Sequence, residues 1–268
     1  MRTPTLAPAT HTNAYALGER EIVLVEPATP YEDEKRAFVE WVRGLESRGR
    51  KVVALFATHH HEDHVGGLAF LARELSLPVW MHAFTAERTG IVPHRLLHDG
   101  DEIVLAGPEA SSYRVLHTPG HAEGHLCLHD ESSGAVVVGD MVASVGTILI
   151  APGEGDMAVY LAQLERLSKL GAKVALPAHG DPISEPTNHF NAYITHRLAR
   201  EARVESCVKS LGSHGGNLDA LVALAYADTP ESVWPIAKLS LEAHLLKLLA
   251  EGRAMRQGSR WMAPSGAE

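Results

Sequence analysis

Residues 58–67 read THHHEDHVGG: four histidines and two acids in ten positions, three of the histidines consecutive. The seven residues before them, KVVALFA (51–57), are a short apolar run that predicts a buried strand. In an extended chain successive side chains point to opposite sides. His59 and His61 therefore share one side, and His60 faces the other. The turn that follows, ahead of a helix start at Gly66-Gly67, can carry Asp63 and His64 to a neighbouring position. The pattern is H-x-H-x-D-H on 59, 61, 63 and 64. A shift of one residue puts Glu62 where a second histidine is needed. Imidazole nitrogen and carboxylate oxygen are donors that zinc accepts in tetrahedral sites.

Two ions about 3.5–4 Å apart make a hydrolytic site that clamps attacking and leaving oxygens. Two ions need more than four ligands, and later strand ends supply them. HTPGHAEGH (117–125) offers His121 after a tight Pro-Gly turn. AVVVG (135–139) leads into Asp140, whose two oxygens can bridge two ions, and KVALP (173–177) leads into AHGD and His179. Each candidate follows an apolar run, where a rigid scaffold can aim it. His60 reads as a non-ligand, supporting or facing solvent. His82, His94, His98, His117, His125 and His129 carry no independent signal, although His125 is a candidate to orient a metal-bound imidazole.

The rest of the chain supplies the setting. Strands are expected at 22–25, 51–57, 79–82, 113–116, 125–129, 135–139 and 174–177, each bounded by turn residues. Phe38, Trp41, Val42 and Leu45 repeat at helical spacing, as do Leu68, Leu71, Ala72 and Leu75. Tyr160, Leu164 and Leu167 do so again, with Asp156 as N-cap and Gly171 as stop. Mixed strands and helices imply an α/β layered domain over 1–190. From about Asn191 the texture is helical: NAYITHRLAREARVESCVKSLG, a second helix over 218–226, and a third marked by Leu241, Leu245, Leu248 and Leu249 and ended by Gly252. A hairpin around Gln257-Gly258 follows, so 191–268 reads as a winged-helix-like domain, either a packing or dimerisation cap or a nucleic-acid reader.

The net charge of −9 sits in the first 190 residues, with 15 basic against 25 acidic; 191–268 has 9 against 8. That balance excludes a whole-chain basic footprint for nucleic acid. No apolar run approaches the roughly 20 residues of a membrane span. The N-terminus lacks the basic start and apolar core of a secretory signal, so a cytoplasmic setting is expected. Cys127 and Cys207 form no CxxC pair and read as small buried residues.

The motifs THHHEDHVGG, HTPGHAEGH, VVVGD and PAHGD, in this order, resemble the metallo-β-lactamase superfamily over the first domain. The resemblance implies a four-layer αββα sandwich with the site at one edge of two sheets. It implies that His59, His61 and His121 hold one metal, that Asp63, His64 and His179 hold another, and that Asp140 bridges. The cofactors expected are two Zn2+, with iron or manganese as alternatives. The cysteine ligand of many true β-lactamases is absent, which argues against antibiotic hydrolysis. The tail, YITHRLAREARV to EGRAMRQGSRW, is similar to that of the β-lactamase-like protein 2 group, which includes endoribonucleases. The glutathione-binding end of glyoxalase II has no counterpart. Only 38 residues separate Asp140 from His179, too few for the inserted domain of the RNA-processing relatives. One departure concerns VEPATP (25–30): Glu26 replaces an expected Asp and the following Gly is absent, so the support around the metals and the adjacent loop differ.

A water bridging two zinc ions is acidified towards neutrality and attacks as hydroxide. Asp63 is the catalytic candidate, binding metal and orienting that hydroxide, with no covalent enzyme intermediate. The expected reaction is hydrolysis of an ester-like bond, a thioester or lactone in a small substrate, because phosphate wants a basic approach. The alternative is metal-dependent cleavage of single-stranded RNA. From another class comes a mononuclear iron sulfur dioxygenase. The sequence leaves the oligomeric state open.

Overall fold

The structure, a computed structural model, describes residues 1–264. Two five-stranded sheets stack face to face. The first runs β1 (Tyr15–Leu17), β2 (Glu21–Val25), β3 (Lys51–Phe56), β4 (Val79–Met81), β5 (Arg95–Leu96), with β2 to β5 parallel and β1 antiparallel. The second holds β6 (Glu102–Leu105), β7 (Ser111–His117), β8 (Leu126–Asp130), β9 (Ala135–Gly139) and β10 (Val174–Pro177). Its members are antiparallel except β10, which lies parallel to β9.

The parallel pairs need crossovers, and helices provide them. Helices α1 (Glu32–Glu46), α2 (Glu62–Val65), α3 (Leu68–Glu74) and α4 (Ala83–Thr89) connect the first sheet, and α5 (Met157–Ser168) joins β9 to β10. Side-chain alternation sorts the strands between layers. Ile22 and Leu24 face α1 and α3, in one cluster with Phe38, Val42, Leu45, Leu68 and Leu71. Val23, Val25, Ala54 and Phe56 face inward against Val115, Leu126, Leu128 and Val137 of the second sheet. Val136, Val138 and Cys127 face outward onto Tyr160, Leu164 and Leu167 of α5. Three apolar clusters thus hold four layers, αββα. The α5 cap is as expected: Asp156 Oδ1 accepts from Val159 N–H at 2.9 Å. Trp41 stays half-buried at the margin, and Val39 takes its place in the stripe.

Helix α6 (Pro186–Ser210) begins five residues ahead of the expected start, with Pro186 at the first helical position, where its missing N–H costs nothing. Its front half sends Phe190 and Tyr193 into the α5 cluster. Its rear half sends Val204 and Val208 into a separate core with α7 (Leu218–Ala225), α8 (Trp234–Ala250) and Trp261 of the hairpin β11 (Met255–Gln257)/β12 (Arg260–Met262). Three helices and a hairpin give the winged-helix arrangement. No described helix is long and apolar enough to cross a membrane.

Candidate metal centre

The candidate residues stand where strands end. Thr58 to His61 leave β3, His61 takes the N-cap position of α2, and that single helical turn carries Asp63 and His64. The expected simple turn is therefore a short helix. The β7–β8 loop carries His121, Asp140 follows β9 and His179 follows β10. The start of β8 is tied to the cluster by Leu126 N–H, which donates to Thr58 O at 2.9 Å. At the end of β9, Gly139 has φ +47 and a Cβ there would lie 2.6 Å from His125 Nε2. Only glycine fits this approach without strain.

All seven candidates come together. His59 Nε2, His61 Nδ1 and His121 Nε2 form a triangle with sides of 2.9, 3.2 and 3.0 Å. Ligand nitrogens on a tetrahedral zinc, at the usual zinc–nitrogen distance, stand about 3.3 Å apart. Asp63 Oδ1 lies 3.7 Å from His64 Nε2 and Asp63 Oδ2 lies 3.5 Å from His179 Nε2. Asp140 stands between the groups. Its Oδ2 is 3.6 Å from His121 Nε2, and its Oδ1 is 3.6 and 3.4 Å from the Nε2 atoms of His64 and His179.

The outer ring nitrogens of four of the five histidines are committed elsewhere, which aims the inner lone pairs at the cluster. His121 Nδ1 donates to Leu149 O at 2.8 Å, and His179 Nδ1 donates to His11 O at 2.9 Å. His59 Nδ1 donates to Thr58 Oγ1 at 3.0 Å, and that hydroxyl donates to Glu26 Oε1. His64 Nδ1 donates to the same Glu26 oxygen at 3.1 Å. His64 Nε2 and Asp140 Oδ1 are left buried without a hydrogen-bond partner. Buried polar atoms are ordinarily paired. Converging lone pairs on imidazole and carboxylate are the donor set of a divalent cation, and the donor atoms of each triad lie within 4.8 Å of one another.

Charge follows the same geometry. Burial and neighbouring imidazoles push His59 far down, and burial takes His121 to about 4, so both stay neutral, as ligation requires. Burial opposes a charge on His64 and His179, but Asp140 raises both, with Glu26 adding to it at His64. Burial alone would raise the Asp140 carboxyl; His64 and His179 outweigh it and hold Asp140 well below the usual carboxylate range.

Several supporting residues depart from expectation. His125 orients no imidazole: its Nε2 accepts the backbone N–H of Asp140 at 3.0 Å, and its Nδ1 donates to Thr118 Oγ1 at 2.8 Å. It holds the main chain of Asp140 instead. His60 stands outside the seven-residue cluster: its Nε2 lies 3.0 Å from Glu154 Oε2, and with His61 and Glu154 it forms a separate group of donors on the far side of His61. The other oxygen of Glu154 is 3.2 Å from His61 Nε2, off the hydrogen-bond line. The contact with His61, ahead of the one with His60, draws Glu154 down to about 2. Sequence reasoning missed Glu154; the available signal was an acid between two glycines in PGEGD (152–156). Cys127 is buried, as expected, but Cys207 is partly exposed.

The cluster opens into a cleft of about 250 Å3, lined by His61, Asp63, His121, Asp140, His179 and Glu154 together with parts of segments 4–9 and 143–151. No lysine or arginine lines it among the described residues.

Comparison with known proteins agrees with this construction. Residues 7–179 match the Metallo-beta-lactamase superfamily, and 218–261 match the Beta-lactamase associated winged helix domain. The chain is 28% identical to a Beta-lactamase-like protein 2 homolog of Drosophila melanogaster, over 90% of this chain and 83% of that one. It is 28% identical to an atrochrysone carboxyl ACP thioesterase of Aspergillus chevalieri, over 89% and 74%. A metallo-beta-lactamase family protein from Thermus thermophilus shares the fold, with TM-score 0.78 and 24% identity over 98% of this chain and 97% of that one. The chain belongs to the metallo-β-lactamase superfamily, as a hydrolase-type enzyme carrying that family's associated winged-helix domain.

Proposed function

We propose that the cluster holds two divalent cations and that the enzyme hydrolyses a thioester or lactone in a small substrate. In this reading His59, His61 and His121 surround one ion, Asp63, His64 and His179 the other, and Asp140 serves both. The observation that carries it is the division of Asp140, with Oδ2 towards His121 and Oδ1 towards His64 and His179. Zinc suits the nitrogen and oxygen donors, with iron or manganese as alternatives. Ions bound there would acidify a water and polarise the substrate carbonyl.

The chain's own residues do the rest. Asp63 lies on the cleft floor, and its spare acceptor capacity can orient the attacking water, which makes it the catalytic carboxylate. Glu26, Thr58, His11 and Leu149 accept the outer N–H of four histidines and so turn their inner nitrogens towards the cluster. No thiol competes as nucleophile at the site: Cys127 is buried, 3.2 Å from Thr118 Oγ1, and burial pushes its thiol up to about 12. Hydrolysis then proceeds without an acyl-enzyme.

The cleft supports a small substrate of low negative charge. A phosphate-rich strand would meet Asp63, Asp140 and Glu154 with no lysine or arginine among the lining residues. Three arginines outside it that a basic rim would draw on are occupied: Arg253 pairs with Glu201, Glu205 and Glu251, Arg260 donates to His214 O and Gly215 O, and Arg95 lies over the Trp80 ring. The thioesterase among the relatives supports a thioester. Residues 191–268 then act as a packing cap rather than a nucleic-acid reader. The test offers zinc-loaded protein S-acyl thioesters of N-acetylcysteamine, lactones and labelled single-stranded RNA. Hydrolysis of the first two, lost in Asp63→Ala, is expected. RNA cleavage lost in Asp63→Ala would overturn the substrate reading, and one iron per chain with oxygen consumption would overturn the hydrolase itself.

A further inference from the structure

The N-terminal segment forms a closed loop whose tip lines the cleft and whose base is bonded to His179, a lining residue. The terminal amine donates to Thr12 O at 2.9 Å, the hydroxyls of Thr3 and Thr12 meet at 2.8 Å, and Arg2 and His11 form an antiparallel bridge. Between these contacts residues 4–9, PTLAPA, line the cleft. At its base His11 O receives the His179 Nδ1 proton at 2.9 Å, and Asn13 Nδ2 donates to the carbonyls of Pro177 and Gly180 at 3.0 and 2.7 Å. At its tip Pro8 packs on Gly146 of the facing wall, where a Cβ would come within 2.8 Å of Pro8 Cδ. Two walls therefore close over a metal centre, one of them anchored to a candidate ligand.

The chemistry of those walls is uniform. Apart from the cluster and Glu154, the lining side chains are aliphatic, proline or threonine. Leu6 is 50% exposed beside this cleft, while Ile148 on the opposite wall is 4% exposed. An ionised or phosphorylated group would find no cation among these side chains, and a hydrocarbon would find apolar surface on both sides. We propose that residues 4–9 form the acyl-binding wall, which selects an uncharged aliphatic acyl group held along Leu6, Pro8 and Ile148 with its carbonyl over Asp63 and Asp140. The proposal rests on the ester-hydrolysing reading above and narrows its substrate class.

Burial of one methylene changes an equilibrium about fourfold. Across S-acyl N-acetylcysteamine thioesters from acetyl to octanoyl, kcat/KM should rise by about that factor per methylene until the cleft is full, chiefly through KM. Leu6→Ser should lower kcat/KM about tenfold more for octanoyl than for acetyl, following the loss of roughly two methylenes of contact. A second measurement needs no turnover. Leu6→Trp is titrated with 2-decanone, an uncharged ketone, with the wild type and its four tryptophans as the blank. A blue shift with 2-decanone and none with acetone is expected. Hydrolysis with a flat chain-length profile, or a profile unchanged in Leu6→Ser, overturns the acyl wall and leaves the hydrolytic reading standing. If neither thioesters nor lactones are cleaved, the hydrolytic reading fails, and the absence of a fluorescence shift then overturns the wall as well.

Discussion

Glu26 offers the sharpest perturbation, because one buried carboxylate reaches a histidine in each triad. It is 1% exposed, and its Oε1 accepts the His64 Nδ1 proton at 3.1 Å and the Thr58 hydroxyl proton. Thr58 in turn accepts from His59 Nδ1 at 3.0 Å. Glu26→Gln keeps the volume but removes the charge. Hydrogen bonds to a charged group contribute about 1.5–3 kcal/mol and neutral ones about 0.5–1.5, so each of the two bonds weakens by roughly 1 kcal/mol. Loss of a residue that orients a metal ligand weakens metal binding about 10–100-fold, or roughly 1.4–2.7 kcal/mol. Zinc titration against a competing chelator should show that drop, larger for the site served by His64, whose bond to Glu26 is direct. Glu26→Asp draws the carboxylate back by about 1.5 Å, one carbon–carbon bond, and should behave similarly. Thermal unfolding of the metal-free variants separates lost folding from lost binding. Unchanged affinity at both sites, with only the unfolding temperature moved, would refute the orienting role.

Other perturbations separate the histidines from their supports. His60→Ala should leave metal content near wild type, whereas His59→Ala or His61→Ala should lose it, as read by elemental analysis of purified protein. Glu154→Gln should weaken binding at the His59/His61/His121 group by about tenfold and leave the other group unmoved, since Glu154 contacts His61 alone among the candidates. In the C-terminal module, burial would raise Glu201, but His244, Lys247 and Arg253 outweigh it and hold its carboxyl at about 2. A carboxyl lowered on folding stabilises above its unfolded value, and that contribution disappears as pH falls towards the folded one. Wild-type stability should therefore decline between about pH 4.5 and pH 2, by an amount on the order of 2–3 kcal/mol from this 3%-exposed group, and Glu201→Gln should flatten that decline in denaturant titrations.

The layers were legible where burial leaves a period. Phe38, Val42 and Leu45, or Tyr160, Leu164 and Leu167, mark helices because one stripe of each faces a sheet. The candidate site was legible because its donors follow apolar strands, as Asp140 follows AVVVG. What escaped had no such pattern. The two-residue β5 is too short to show alternation, and β1 is only three residues long. In β6, EIVL alternates in burial but not in residue type, because the apolar Val104 stands on the exposed side. Pro186, by contrast, announced the start of α6. Glu154 meets His60 across 94 positions from a glycine-rich loop, and the wall at 4–9 is set by hydrogen bonds at Thr3, Thr12 and Asn13, not by periodicity.

The central claim is that seven side chains serve two cations through one shared carboxylate. Zinc titration of metal-free protein, read by calorimetry and checked by elemental analysis, tests it most directly. The account predicts saturation at two ions per chain, and in Asp140→Asn a fall in affinity at both positions together, because the amide removes the charge both share and leaves one oxygen donor where there were two. Saturation of the wild type at a single ion, or an Asp140→Asn protein that still binds two with unchanged affinity, would contradict it.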